Sequence, residues 1–187
     1  MNKRIYIIVG STRPSRIGDT VAKWVSDNIH TDNAQGNIDV EIIDLAKLDL
    51  PMLNEPENAK SRHYMHDHTK KWSQMVQKAD GFIIVTPEYN ASFPAPLKNA
   101  LDYLYHEWSG KPMAFVGYGW GGGKRAVAHL RDVAADLKTK PLTSQVSIML
   151  SGDILDEQGQ LIEPAAALAA YKKDVEAMVD ELLLALS

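Results

Sequence analysis

The chain has 187 residues, of which 45% are hydrophobic and 24% charged, which is enough for one domain with a sizeable core. Its formal net charge is −4, so nothing favours nucleic acid or an acidic membrane surface as a partner. It contains no cysteine, which excludes disulfides, thiolate catalysis and Cys-ligated metals and is compatible with a reducing cytoplasm, where we expect the protein.

The chain begins with a predicted strand at about residues 4–9, followed by a helix. The apolar run of this strand is too short for a signal peptide or a membrane span. The helix that follows is indicated by apolar residues that fall on one face, namely Ile17, Val21, Val25 and Ile29.

Four more apolar runs rich in β-branched residues predict strands at about 38–44, 82–86, 113–118 and 146–150. Helical patterns lie between and after them. The second helix carries Trp72, Met75, Val76 and Ala79, and the third begins near Ala95. The apolar faces of the fourth and last helices are formed by Val127, Leu130, Ala134 and Leu137 and by Leu168, Tyr171, Val175, Met178, Val179 and Leu182.

This alternation of strands and helices predicts an α/β fold with a parallel sheet covered on both faces. Right-handed crossovers then favour a doubly wound, flavodoxin-like domain that spans residues 1–187, with five strands in the order 2-1-3-4-5. In this arrangement, the ligand crevice lies at the carboxyl ends of the first and third strands. The longest irregular stretch, about 46–66, is expected to bear function or an interaction.

The loop after the first strand, residues 10–18, has the composition of an anion-binding site. Free N–H groups at the start of the next helix, together with the helix dipole, favour a phosphate there. Ser11 and Thr12 can donate hydroxyl hydrogen bonds. Arg13 and Arg16 can each bind phosphate oxygens through two donors. The alternative is an ordinary turn with capping hydroxyls and two solvated arginines.

The loop after the third strand suits a flat ring. Tyr89 offers an aromatic face and Asn90 a donor and an acceptor, and the backbone N–H groups of 88–90 are predicted to bond the pyrimidine edge of a flavin. Pro94 and Pro96 stiffen the loop, so it is preformed. The alternative is a Pro-rich turn that caps a helix. Lys98 and Asn99 are expected to be helix-surface residues and not ligands.

The loop after the fourth strand, residues 117–124, contains G-x-G-x-x-G, but the dinucleotide-binding fingerprint belongs after the first strand. We interpret its glycines as permitting close approach of the backbone to a planar ring. Trp120 is expected near the ring or at a subunit contact. The alternative is a flexible glycine loop.

The histidines are a weaker signal. His63, His66 and His68 flank a predicted helix start, and a metal site would need a further converging ligand, so we predict no metal. His106 and Glu107 are expected to be exposed or at an interface.

Together the loops resemble the NADPH-dependent FMN reductase family, which includes quinone, chromate and azo-dye reductases of flavodoxin-like fold. The resemblance covers about residues 3–150, most of the chain. TPEYN at 86–90 is its most specific motif, and GSTR at 10–13, PAPLKNA at 94–100 and YHEWSGKP at 105–112 accompany it.

The resemblance implies FMN as cofactor and a site assembled from all three loops. The FMN phosphate would be surrounded by Ser11, Arg13, Arg16, Ile17 and Gly18. The isoalloxazine ring and ribityl chain would meet Pro87, Glu88, Tyr89 and Asn90. The other edge of the ring would be closed by Gly119, Trp120, Gly121 and Gly122.

The resemblance also implies the reaction. A hydride passes from NADPH or NADH to FMN, and electrons then pass to a small-molecule acceptor such as a quinone or flavin by a ping-pong mechanism, so no catalytic side chain is expected. Trp120 replaces a smaller residue of many relatives and is expected to narrow the substrate pocket. The protein is expected to be a homodimer or homotetramer, with the 46–66 loop and Trp108 at the interface or lining the pocket.

Two other functions remain open from the sequence. A flavodoxin-type electron carrier without its own NAD(P)H turnover would use the same fold and cofactor, but two arginines in the loop and a net charge of only −4 argue against it. A flavin-free interaction protein that keeps the scaffold is the second alternative.

Overall fold

The computed structural model describes residues 2–29, 32–33 and 36–186. Within these ranges the strands are β1 (Lys3–Val9), β2 (Asp32–Asn33), β3 (Gly36–Asp44), β4 (Gly81–Pro87), β5 (Pro112–Gly119) and β6 (Lys140–Met149). The helices are α1 (Gly18–Asp27), α2 (Leu45–Leu48), α3 (Asp67–Gln77), α4 (Ala95–Asp102), α5 (Lys124–Asp136), α6 (Pro164–Ala167) and α7 (Lys172–Leu186). Short 3₁₀ turns lie at Ala59–Ser61 and Ala169–Tyr171.

The described strands form one sheet in the order β2-β3-β1-β4-β5-β6. The five long strands are parallel and, numbered among themselves, have the predicted order 2-1-3-4-5. Val9, at the end of β1, pairs in register with Asp44 of β3 and Val85 of β4. The carboxyl ends of these strands therefore meet at one edge, with the switch point between β1 and β4.

Strand β2 is an addition to the prediction. It pairs antiparallel with β3 through Asp32 and Asn33. Two polar residues are too few for a strand periodicity to be recognised.

Alternate residues of the central strands enter two separate cores. Ile5 and Ile7 of β1 pack with α1 and α7, whereas Tyr6 and Ile8 pack with α3, α4 and α5. Because these strands are buried on both faces, their sequences are continuous apolar runs.

Two element boundaries differ from the prediction. β6 begins at Lys140 instead of near 146, because its first half is an edge segment with polar side chains and Pro141, which has no apolar run. The apolar pattern assigned to the last helix starts too early, since Leu168 and Tyr171 precede α7 in the α6–3₁₀ segment, where Leu168 is nonetheless buried.

Trp108 is a core residue, so its predicted place at an interface or in the pocket lining is wrong. It is fully buried, and its ring packs edge-on against Trp72 and Phe82. Its indole N–H donates to the carbonyl of Leu101, 3.3 Å away. A buried indole needs such a partner, and a carbonyl of the last turn of α4 supplies it.

Glu107 and Asn99 are buried, whereas Glu107 was predicted to be exposed or at an interface and Asn99 to lie on the helix surface. Glu107 accepts hydrogen bonds from the hydroxyls of Tyr64 and Ser73. The Asn99 side chain accepts from the N–H of Leu53 and donates to the carbonyl of residue 51, at 2.8 Å each. Asn99 is buried because it satisfies backbone groups of an irregular segment, and Glu107 because it accepts from two side-chain hydroxyls. A helical periodicity reveals neither.

Candidate functional site

The three loops singled out in the sequence meet at a crevice of about 310 Å³ at the carboxyl edge of the sheet. Of the predicted site residues, those that line it are Arg13, Arg16, Ile17, Pro87, Glu88, Tyr89, Gly119 and Trp120. The crevice is also lined by Ser15, Tyr118, Leu150, Leu155 and Gly159, which the sequence analysis did not assign. Ser11, Gly18, Asn90, Gly121 and Gly122 lie in the same loops beside it.

The first loop presents donors toward the start of α1. Ser11 is fully buried, and its Oγ lies 3.2 Å from the hydroxyl of Tyr118, which donates to it. The N-cap residue of α1 is Ile17, whose apolar side chain does not bond the amides of the first helical turn. The Thr20 N–H of this turn already donates to Asp19 Oδ1 at 3.0 Å, so the N–H groups of Gly18 and Asp19 are the ones that favour an anion.

The two arginines of the first loop have different surroundings. Arg16 forms an ion pair with Asp44, with 2.6 Å between Nη2 and Oδ2, and the side chains are only 13% and 8% exposed. Among the described residues, Arg16 Nε is buried without a hydrogen-bond partner. The guanidinium of Arg13 lies 5.9 Å from the ring centre of Tyr89 and so links the first loop to the second. An anion in the loop would satisfy the orphaned Nε donor.

The second loop folds back on itself in a tight turn. Tyr89 and Ser92 form an isolated antiparallel bridge, and Asn90 and Ala91 between them have positive φ values of 48° and 70°. The N–H of Tyr89 donates to the carbonyl of Ser92 at 2.8 Å, and that of Glu88 donates to Tyr118 at 3.0 Å. The predicted bonds from these two amides to a flavin edge are therefore wrong, because the protein itself uses both donors.

The Glu88 carboxylate binds α5 and does not face the crevice as a free ligand. Oε1 accepts from Nε of Arg125 at 2.8 Å, and Oε2 accepts from the Arg125 backbone N–H at 3.1 Å. Burial by itself would raise the pKa of Glu88, but the hydrogen bonds from Arg125 lower it below the ordinary value. Glu88 thus fastens the second loop to the start of α5, which immediately follows the third loop.

The third loop depends on glycine for its path. Gly122 and Gly123 have φ values of 73° and 67°, and a Cβ at Gly123 would lie 2.5 Å from the backbone N of Tyr118. Trp120 is 69% exposed at the crevice. Gly122 packs by Ser147 and Met149 instead of lining the crevice. The third loop follows β5, in agreement with the view that its G-x-G-x-x-G pattern is not a dinucleotide fingerprint.

A fourth segment, residues 150–163, borders the crevice and was missed. Leu150 and Leu155 line it, and the side-chain amide of Gln160 donates to the carbonyl of Ser15 at 3.3 Å. This segment follows β6, so it too leaves the carboxyl edge of the sheet. Its place after a fifth parallel strand was the signal that could have identified it.

His66 and His68 lie away from the crevice and hold the irregular segment. Nε2 of His66 and Nε2 of His68 lie 3.1 and 3.0 Å from the carbonyl and side-chain oxygens of Asn54. Their rings stack with centres 5.1 Å apart. In the described part of the chain, no group of three or more His, Cys, Asp or Glu side chains is placed to hold a metal ion.

Comparison with known proteins connects this geometry to a chemistry. The family described as NADPH-dependent FMN reductase matches residues 3–152. An NAD(P)H-dependent FMN reductase of Schizosaccharomyces pombe is 38% identical over 170 residues, covering 90% of this chain and 82% of the relative. A 2-hydroxy-1,4-benzoquinone reductase of a Burkholderia species is 33% identical over 144 residues, covering 73% of each chain.

A solved structure shares the fold. FerB, described as a flavoenzyme NAD(P)H:(acceptor) oxidoreductase from Paracoccus denitrificans, superposes with a TM-score of 0.71. The two chains are 23% identical, and the match covers 96% of this chain and 97% of FerB.

Proposed function

Because this chain belongs to the NADPH-dependent FMN reductase family, we propose that its crevice holds FMN and serves NAD(P)H-dependent reduction of a small acceptor. The chain is an NAD(P)H-dependent oxidoreductase, with FMN as cofactor and NADPH or NADH as co-substrate. The observation that carries the assignment of the site is the meeting of the first, second and third loops at one crevice.

The first loop fits the phosphate of FMN. It offers a buried Ser11 hydroxyl, the uncapped start of α1 and the guanidinium groups of Arg13 and Arg16. A Cβ at Gly18 would lie 2.5 Å from Ser11 Oγ, so this turn accepts only glycine without rearrangement. These donors would hold a terminal monophosphate and fix the position of the ring above the sheet edge.

The second and third loops fit the ring. Tyr89 and Trp120 offer aromatic faces, Pro87 and Gly119 complete the wall, and Asn90 lies in the turn beside it. The volume of about 310 Å³ is at the small end of the range of about 300–1,000 Å³ typical of ligand pockets. Bound FMN would supply hydride acceptance and electron delivery, whereas the side chains bind, orient and shield the ring.

Turnover would alternate between the two substrates, because one crevice serves both. The acceptor class we propose is a quinone or a free flavin, in line with the relative named a benzoquinone reductase. Steady-state rates at several fixed acceptor concentrations should give parallel double-reciprocal lines. Intersecting lines, or nicotinamide and acceptor bound together, would refute the shared crevice.

Stopped-flow reduction of the FMN-loaded protein tests the activity directly. NADPH or NADH should bleach the flavin absorbance in a first phase, and a quinone or free flavin should restore it in a second. A flavodoxin-type carrier would accept electrons from a protein partner and would show no direct reduction by either nicotinamide. The absence of bleaching with both nicotinamides would therefore refute the proposed enzyme.

Three further properties stay predictions. Residues 1–187 are proposed to act as one FMN-binding domain, which is proposed to form a homodimer or homotetramer in the cytoplasm. Among the residues with described positions, no helix is long and apolar enough to cross a lipid bilayer.

A further inference from the structure

Tyr118 connects two of the loops that form the crevice. It is the second-to-last residue of β5, and its carbonyl accepts the Glu88 N–H of the second loop at 3.0 Å. Its hydroxyl lies 3.2 Å from Oγ of Ser11 in the first loop. Because β4 lies between β1 and β5, the Tyr118 side chain reaches across one strand position to make this contact.

The Tyr118 hydroxyl acts as the donor of this pair. Its side chain is buried, and burial raises the pKa of the hydroxyl well above its ordinary value, so the group keeps its proton at neutral pH. Ser11 is fully buried and has one hydroxyl proton and two lone pairs. When one lone pair of Ser11 Oγ is occupied by the Tyr118 proton, the Ser11 proton remains for another acceptor.

The first residue of α1 leaves room for this hydroxyl pair. A Cβ at Gly18 would lie 2.5 Å from Ser11 Oγ and 2.7 Å from the hydroxyl oxygen of Tyr118. Because residue 18 is glycine, the two hydroxyls can lie together beside the first turn of α1, which has no capping bond from the side chain of Ile17. That is where the amides of the first turn favour an anion.

We propose that Tyr118 is a positioning residue for the FMN phosphate: by donating to Ser11 Oγ, it directs the Ser11 hydroxyl proton toward a phosphate oxygen. This inference rests on the proposed function, because it takes FMN as the ligand. In this role Tyr118 acts through Ser11 and not through contact with the phosphate. Its effect should therefore depend on both the phosphate of the ligand and the hydroxyl of Ser11.

Flavin titrations of the apoprotein test the dependence on phosphate. Tyr118→Phe removes the hydroxyl and keeps the ring, and it should weaken FMN binding about three- to tenfold. Riboflavin has the same ring system without the phosphate, so its affinity should not change. Equal weakening of FMN and riboflavin would mean that Tyr118 only supports packing and would overturn the inference.

A double-mutant cycle tests the dependence on Ser11. In the Ser11→Ala background, Tyr118→Phe should cause no further loss of FMN affinity, because the hydroxyl that it orients is gone. An undiminished loss in that background would overturn the inference. Tyr6→Phe is the matched control, because Tyr6 is a buried strand tyrosine that packs with the other core, and it should change neither affinity.

Different results would overturn the proposed function and the proposed role of Tyr118. If the wild-type protein binds no FMN, both the proposed function and this inference are overturned. If it binds FMN and Tyr118→Phe leaves that affinity unchanged, only the inference is overturned. Should Tyr118→Phe not fold, Tyr118→Met, which fills much of the same space without a hydroxyl, gives the same test: a loss for FMN alone supports the inference, and any other result overturns it.

Discussion

At the scale of single residues, the two arginines of the first loop should contribute differently to the free energy of unfolding. Arg16 is paired with a largely buried Asp44, whereas Arg13 lies near the face of Tyr89. Arg16→Ala would leave the Asp44 carboxylate without its cation, so the free energy of unfolding should fall by about 3 kcal/mol. Arg13→Ala should change it by less than about 0.5 kcal/mol. Urea denaturation of both apoproteins measures the difference.

Both arginines should also matter for FMN. Loss of a charged hydrogen bond to the phosphate costs about 1.5–3 kcal/mol, which is roughly tenfold or more in affinity. Titration of Arg13→Ala and Arg16→Ala with FMN measures this, and riboflavin is the control ligand. If both variants bind FMN as tightly as the parent, the first loop does not hold the phosphate.

Tyr89 is a crevice residue that contributes little to the core. Tyr89→Ala should keep the fold and weaken FMN binding or alter acceptor kinetics, because the ring loses an aromatic wall. Circular dichroism and a flavin titration on the same sample separate the two effects. Tyr105→Ala is the control, since Tyr105 contacts Lys60 away from the crevice. Unchanged flavin affinity and unchanged kinetics would place Tyr89 outside the site.

At the scale of elements, the Glu88–Arg125 contact joins the second loop to α5. The lowered pKa of Glu88 means that its contribution to stability is present above the ordinary value of 4.5 and is lost as the pH falls through the folded-state pKa. Glu88→Gln should therefore flatten the decline of stability in acid. The difference should be at most about 1 kcal/mol, because Arg125 is largely exposed. Urea unfolding from pH 7 to pH 3 checks the prediction, and identical curves for both proteins would contradict it.

The third loop carries the exposed indole among four tryptophans. Trp24, Trp72 and Trp108 are buried, and Trp120 is 69% exposed beside the crevice. Acrylamide should therefore quench mainly the tryptophan fluorescence of Trp120, and bound FMN should quench the same component. Trp120→Phe should abolish this component.

Trp120→Ala should raise the KM of a planar quinone more than that of ferricyanide, because ferricyanide has no ring to stack on the indole. Equal effects on both acceptors would exclude stacking by Trp120.

At the scale of the whole molecule, the crevice favours a flavin with one terminal phosphate. The anion-binding loop follows β1 and contains no dinucleotide fingerprint, so mass spectrometry of heat-released cofactor should find FMN and not FAD. Release of FAD as the main species would contradict the prediction.

FMN at about one hundred times its Kd should stabilise the fold by about 2.7 kcal/mol. Riboflavin should raise the Tm less at the same concentration.

The architecture, and the edge of the sheet at which the crevice lies, could be predicted from the amino-acid sequence. Apolar runs and helical periodicities are local patterns, so they identified the five parallel strands and the helices between them. Chain order and handedness then placed the loops after β1, β4 and β5 at one edge of the sheet. The residue types in these loops were sufficient to predict that the ligand has an anionic group and a flat ring.

The partners of the polar side chains could not be predicted in this way and are seen only in the folded chain. Arg16 and Asp44 are 28 residues apart, Glu88 and Arg125 are 37 apart, and Ser11 and Tyr118 are 107 apart. No local pattern relates such residues, because each contact forms only when the strands have been aligned in register. The same reason explains the buried Glu107: the hydrogen bonds that satisfy a polar group inside a protein come from distant segments, and burial follows their geometry instead of the residue's own polarity.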